Sequence, residues 1–153
     1  MENDDKKIAL FERVNGFTGP LSRTAWHWRT RVIARLLANY MFLKNKGERK
    51  DSVGAIAEEW RQMFGLNRFW KIDRIDDDTA YCEIHFPCSL ERTGDVQACY
   101  RLMEYDRALV EKIGGQLVVL ESRADPKVAG SCKVAIRKRD DLRTDLIPAH
   151  LIE

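Results

Sequence analysis

Two short runs of period-two alternation bracket a single helical segment between residues 79 and 138, and no all-helical or all-strand fold accommodates that order. In the first run Cys82, Ile84 and Phe86 share one face while Tyr81, Glu83 and His85 share the other. In the last run Cys132, Val134 and Ile136 oppose Lys133, Ala135 and Arg137. The stretch between them predicts a helix beginning near Thr93-Gly94-Asp95 and stopped by Gly114-Gly115. A strand over Gln116 to Ser122 and a turn at Asp125-Pro126 then lead into the final strand, Ser131 to Lys138. A further strand, Phe69 to Ile75, pairs with Thr79 to Phe86 through the turn Asp76-Asp77-Asp78. Three adjacent aspartates lack the alternation and closing glutamate of a calcium loop, so they read as a solvated turn.

The first half of the chain reads as helical. A long helix is predicted from Ser22 or Thr24 to Gly47, with Trp26, Ile33, Leu37, Tyr40 and Met41 on one stripe. Arg29, Arg31 and Arg35 fall off that stripe, and the tryptophans are expected to pack. A second helix, Ser52 to Phe64, carries Val53, Ile56, Ala57, Trp60 and Phe64 on its apolar face and ends at Gly65. Before both lies a polar tail, a short apolar turn (Ile8, Leu10, Phe11, Val14) and a Gly/Pro loop from Asn15 to Pro20. The expected architecture is α+β, with N-terminal helices packed on an antiparallel sheet of two hairpins bridged by a helix (α-α-β-β-α-β-β). The organisation that follows is an arm over 1–22, a single domain over 23–140 and a C-terminal tail over 141–153. A chain of 153 residues, 44% hydrophobic and 33% charged, has the material for one such core.

Charge and patterning narrow the function classes. Twenty-six basic residues against 24 acidic ones leave no basic excess, which argues against a nucleic-acid partner. No run approaches the roughly 20 apolar residues that span a bilayer. The start, Met1-Glu2-Asn3-Asp4-Asp5-Lys6-Lys7, is too acidic for a secretory signal, which predicts a cytoplasmic protein with reduced cysteines. The cluster Trp26-His27-Trp28-Arg29 reads either as packing or as a contact with an anionic or membrane surface, and self-association through this helix is a further expectation.

The chemistry-bearing residues lie in the second half. Cys99, Met103, Asp106, Val110 and Ile113 are spaced 4, 3, 4 and 3, so they share the helix face expected to meet the sheet. A carboxylate in that row requires a partner, either backbone amides or an arginine, for which Arg101, Arg107 and Arg123 are the candidates; otherwise the row lines a polar cavity. Seven residues along a helix is about 10.5 Å, so Cys99 and Asp106 are expected at opposite ends of one pocket rather than in contact. Cys88 follows Pro87 at a strand exit, three residues after His85, and shortly before a helix whose dipole would favour a thiolate. Cys82 and Cys132 sit inside strand patterns and read as core. A Cys3His metal set of His85, Cys88, Cys99 and Cys132 is the alternative, although no CxxC pair supports it. No cofactor is specified by the pattern.

Taken together, Pro87-Cys88, the helix with Met103-Glu104-Tyr105-Asp106 and the late Gly130-Ser131-Cys132 resemble the C-terminal half of the L-2-amino-thiazoline-4-carboxylic acid hydrolase-like proteins. They are similar, more distantly, to the 4-vinyl reductase-type small-molecule-binding domain. The hydrolase-like pattern tends to have cysteine at the position of Met103, and Cys-Pro where this chain has Pro87-Cys88. The resemblance implies a pocket between the third helix and the sheet, lined by Cys88, Cys99, Asp106 and Cys132. It also implies cysteine-dependent hydrolysis of a small molecule, with Cys88 or Cys99 attacking a C=N or acyl carbon, His85 or Asp106 managing protons, and an arginine holding a substrate carboxylate. Met103, Cys132, Arg101, Arg107 and Arg123 are the expected ligand contacts. A non-catalytic domain that binds a small ligand or metal stands as the alternative.

Overall fold

The computed structural model describes residues 2–152. Three helices come first, α1 (Glu2–Ser22), α2 (His27–Lys44) and α3 (Val53–Phe64), followed by the hairpin β1 (Trp70–Asp76) and β2 (Thr79–Ile84). Two short helices, α4 (Val96–Leu102) and α5 (Glu104–Ile113), lead to the hairpin β3 (Gly115–Glu121) and β4 (Cys132–Lys138). The four strands form one antiparallel sheet in the order β1-β2-β4-β3, so the class is the α+β expected. Asp77 and Asp78 both adopt positive φ, 47° and 53°. That is the backbone of a two-residue primed turn, which matches the twist of the flanking strands.

The sheet faces follow the alternation. Ala80, Cys82 and Ile84 face the core with Leu117 and Val119 of β3 and Val134 and Ile136 of β4. Against that face lie α3 and α5, whose Ile56, Trp60, Leu109, Val110 and Ile113 are completely buried. Each such side chain contributes roughly 1.5–3 kcal/mol of transfer free energy. Ser52 caps α3 by accepting the Ala55 N–H, and Gly65 ends it in the left-handed conformation. The other sheet face is covered in part by residues 139–148. Arg137 there meets Asp145 through two hydrogen bonds of 2.7 and 2.8 Å and Thr79 Oγ1 at 2.8 Å.

Three expectations are corrected. The loop predicted over Asn15 to Pro20 is helix, because α1 runs unbroken to Ser22. Tertiary contacts override the weak local propensity: Ser89 donates its backbone N–H to Asn15 Oδ1 at 2.7 Å and its hydroxyl to Asn15 O at 2.9 Å. Gly19 allows that approach, since a Cβ there would sit 1.9 Å from Ser89 Oγ. Phe11 docks α1 among Phe64, Trp70 and Phe86, with ring centroids within 6.0 Å.

The second correction concerns α2, whose buried residues are Thr30, Ala34 and Ala38. Trp26, Leu37 and Tyr40 of the predicted stripe are exposed, as is Trp28. The orientation is set by the buried Glu104 of α5, which takes Arg35 at 2.8 Å and Arg31 at 3.6 Å. A buried carboxylate without cations is strongly disfavoured, and the small residues let α2 come close enough to supply them.

Third, the helix predicted from residue 93 to Ile113 breaks at Met103 (φ −71°, ψ 3°) into α4 and α5. The Tyr100 carbonyl, freed from its ordinary partner at residue 104, accepts a hydrogen bond from Arg107 Nη2.

Candidate functional site

Three of the four cysteines converge where β2 leaves the sheet and β4 enters it. Cys132 begins β4 and pairs in register with Ile84, the last residue of β2. Pro87 and Cys88 continue the chain just beyond β2, and α4 brings Cys99 over them. Leu90, Ala98, Cys99 and Ala124 form a small apolar cluster, distinct from the main core, with Cys88 and Met103 packed against it. Cys88, Cys99 and Cys132 lie close enough for a charge on any one to act on the others.

Each sulfur has its own donors. Cys88, half-buried, faces the Leu90 N–H at 3.4 Å and the Asn15 side-chain amide at 3.8 Å. Cys132 receives the Arg123 N–H at 3.4 Å. Cys99 interacts with the Ser122 hydroxyl, but burial dominates and pushes its thiol up to about 12. Burial also raises Cys132, partly offset by the Arg123 backbone N–H. Arg123 stands over the group, its charge acting on both Cys88 and Cys132. Its Nη1 donates to Phe86 O at 3.2 Å and its Nη2 pairs with the Glu91 carboxylate.

The other predicted residues lie elsewhere. Asp106 does not share a pocket with Cys99: it sits in the main core, where Trp60 Nε1 donates to its Oδ1 at 3.0 Å. Burial pushes its carboxyl up to about 6, against that hydrogen bond and the charge of Arg107. Its side-chain hydrogen-bond partner is Trp60; of the partners expected, a backbone amide also donates to it, and Arg107 acts through its charge rather than a hydrogen bond. Arg107 bonds Glu104 at 2.9 Å and lies over the Tyr100 ring, while Arg101 donates to Ser22 O at 2.9 Å and ties α4 to the end of α1. His85 meets Glu83 at 2.7 Å on the sheet face opposite Cys132, since alternate residues point to opposite sides. Met103 packs against both apolar clusters. Cys82 is core, its thiol raised to about 12 by burial first and by Asp73 second.

The metal set of His85, Cys88, Cys99 and Cys132 does not assemble. Among the described residues no group of three or more His, Cys, Asp or Glu is placed to hold a metal ion. Cys88 is also not at a helix start: α4 begins at Val96 and its cap is Asp95, which accepts the Ala98 N–H at 2.9 Å. Sequence reasoning missed Glu91, Asn15 and Ser122 at the cysteines and Trp60 at Asp106. Only Glu91, three residues after Cys88, carried a local signal. Among the described residues no helix is long and apolar enough to cross a membrane.

No family model, curated protein or solved structure matches this chain. What the site can do is therefore read from its own geometry. It offers a thiol with two N–H groups directed at its sulfur, beside a guanidinium whose outer nitrogen is held by a single, partly exposed carboxylate. An open cleft of about 290 Å³ lined by Pro20, Arg23, Ser89 and Leu90 begins at the residues that follow Cys88.

Proposed function

We propose that the chain is a small-molecule hydrolase with Cys88 as nucleophile, resembling the thiazoline-carboxylate hydrolases in chemistry. The observation that carries this reading is the convergence of Cys88, Cys99 and Cys132 from three remote segments around Arg123. The Cys88 thiolate adds to the C=N or acyl carbon of a C–N bond, and the Leu90 and Asn15 donors hold the sulfur in place. The C–N bond breaks as the nitrogen takes up a proton and is released as the amine. Water then attacks the carbon still bound to sulfur: an acyl substrate's thioester gives the acid, the amidine-level adduct of a cyclic C=N substrate gives the carbamoyl product, and in both the Cys88 thiol is regenerated. Arg123 is suited to a substrate carboxylate, which would replace Glu91 at Nη2. Glu91, released by that exchange, is the carboxylate at hand for proton transfer, in place of His85 and Asp106. Cys99 and Cys132, held protonated by burial, line the site as neutral groups.

Turnover of 2-aminothiazoline-4-carboxylate and related cyclic and acyclic C–N substrates tests the reading. Cys88→Ser should lower kcat/KM by at least ~10³-fold with the circular dichroism spectrum unchanged. Full activity in that variant would remove Cys88 from the mechanism. The neutral state of Cys99 and Cys132, together with the open cleft beside Ser89, favours a second reading, a non-catalytic small-ligand carrier. That reading predicts stoichiometric binding without turnover in both the parent protein and Cys88→Ser.

A further inference from the structure

Between Glu12 and Glu48 the chain contains no acidic residue, although acidic residues make up 24 of its 153. Helix α2 lies inside that stretch and carries its cations on two sides. Arg31 and Arg35, towards α5, are matched by Glu104, and Arg35 also by Glu111. Arg29 and Lys44, on the outer side, meet aromatic rings instead. Arg29 lies 4.3 Å from the Trp26 ring and 5.4 Å from that of Trp28, and Lys44 lies 5.7 Å from that of Tyr40. Among the described residues neither has a carboxylate partner. The outer cations are the ones left without counter-charge.

The surface these cations flank is apolar. Thr30, Ala34 and Ala38 are the buried side of α2, while Trp28, Val32, Leu36, Tyr40 and Leu43 project away from it and are 49% to 68% exposed. Trp28 and Tyr40 stand twelve residues apart, about 18 Å along the axis. Val32 and Leu36 lie between them, and each aromatic ring has its own cation.

We propose that this outer face of α2 seats the protein on an anionic lipid bilayer, with the helix lying in the plane of the interface. Val32, Leu36 and Leu43 supply the apolar contact that enters the acyl boundary. Trp28 and Tyr40 combine an apolar body with a polar tip, the property that places aromatic side chains at headgroup depth. Arg29 and Lys44 reach lipid phosphates from above the rings and gain counter-charge without breaking an ion pair. Charge complementarity excludes the other occupants. A second copy related by a two-fold axis would set these cations against their own images, with no carboxylate on the face to receive them. A nucleic acid offers phosphates but no apolar counterpart for Leu36 and Leu43, the most exposed members of the row.

Co-sedimentation of the full chain with vesicles of equimolar phosphatidylcholine and phosphatidylglycerol, compared with vesicles of phosphatidylcholine alone, reads the contact. The anionic vesicles should bind at least about tenfold more tightly, and the preference should shrink as salt rises. Tryptophan emission should shift to the blue on binding. Trp60 and Trp70 are already buried, so that shift reports Trp26 and Trp28. The double variant Arg29→Gln, Lys44→Gln should weaken binding to the anionic vesicles by about thirtyfold, roughly fivefold for each cation removed. Leu36→Glu, which removes the central apolar contact and adds a repelled charge, should weaken it by about a hundredfold or more. All three positions are exposed, so the circular dichroism of both variants should match the parent's. Four results overturn the proposal: no binding to the anionic vesicles, equal binding to both kinds, binding that both folded variants retain in full, or a dimer in sedimentation velocity that Leu36→Glu dissociates, which would assign the face to a second copy.

Discussion

Asp106→Asn isolates a carboxylate buried in the main core beside Trp60. Burial raises the Asp106 carboxyl from 3.8 to about 6, with the Trp60 hydrogen bond opposing the shift. At 1.36 kcal/mol per unit this is on the order of 3 kcal/mol between protonation states. The folded group holds its proton more tightly than the unfolded one, so stability falls as pH rises wherever only the unfolded state has ionised. The contribution is therefore intact below about pH 4 and lost as pH rises through about 6. Asparagine keeps the Oδ1 that accepts from Trp60 Nε1 and cannot ionise. Urea unfolding of both proteins should give a stability difference that moves in favour of the variant by on the order of 3 kcal/mol across this window. Groups that titrate elsewhere cancel in the difference. A difference that stays flat across the window, or that moves towards the parent protein, would refute the reasoning.

Two other substitutions test how the ends of the site are held. Gly19→Ala places a methyl against the Ser89 hydroxyl and should cost about 1–3 kcal/mol in urea unfolding, with much of the loss recovered in the double variant with Ser89→Ala. An equal loss in both backgrounds would show that the approach of α1 to residue 89 is not what Gly19 serves. Asp78→Gly relieves a left-handed non-glycine residue in the β1–β2 turn and should raise stability by about 0.4–1 kcal/mol, while Asp77 keeps its pairing with Arg143. A lower thermal midpoint would argue against the primed-turn assignment.

The parts of the fold written as local pattern were legible. Alternation in β2 and β4 assigned the core faces correctly down to Cys82 and Val134, and Ser52 and Gly65 bounded α3 as expected. What was illegible depended on distant partners. Nothing local shows that Ser89 would hold α1 helical through Gly16, Gly19 and Pro20, seventy residues earlier in the chain. Hydrophobicity alone assigns the wrong face of α2, because the deciding residue is Glu104, whose need for Arg31 and Arg35 turns the small residues inward. On one unbroken helix the row from Cys99 to Asp106 shares one face. The break at Met103 divides it, leaving Cys99 with the other cysteines and Asp106 with Trp60. Of the candidate site residues, Cys88, Cys99, Cys132 and Arg123 come together, while His85 is taken to the far side of the sheet by the same alternation that places Cys82 in the core.

The most direct test of the proposed nucleophile is the rate at which iodoacetamide labels each cysteine of the folded protein, read by peptide mass spectrometry. Thiols held protonated by burial react slowly, so Cys82 and Cys99, both raised to about 12, should stay unlabelled near neutral pH until the chain unfolds. Cys88 should label in the folded state, about tenfold or more faster than the other three, and a bound carboxylate substrate should protect it. Labelling of Cys88 that waits for unfolding, or that is no faster than Cys99 and Cys132, would contradict the assignment of Cys88 as the reactive thiol.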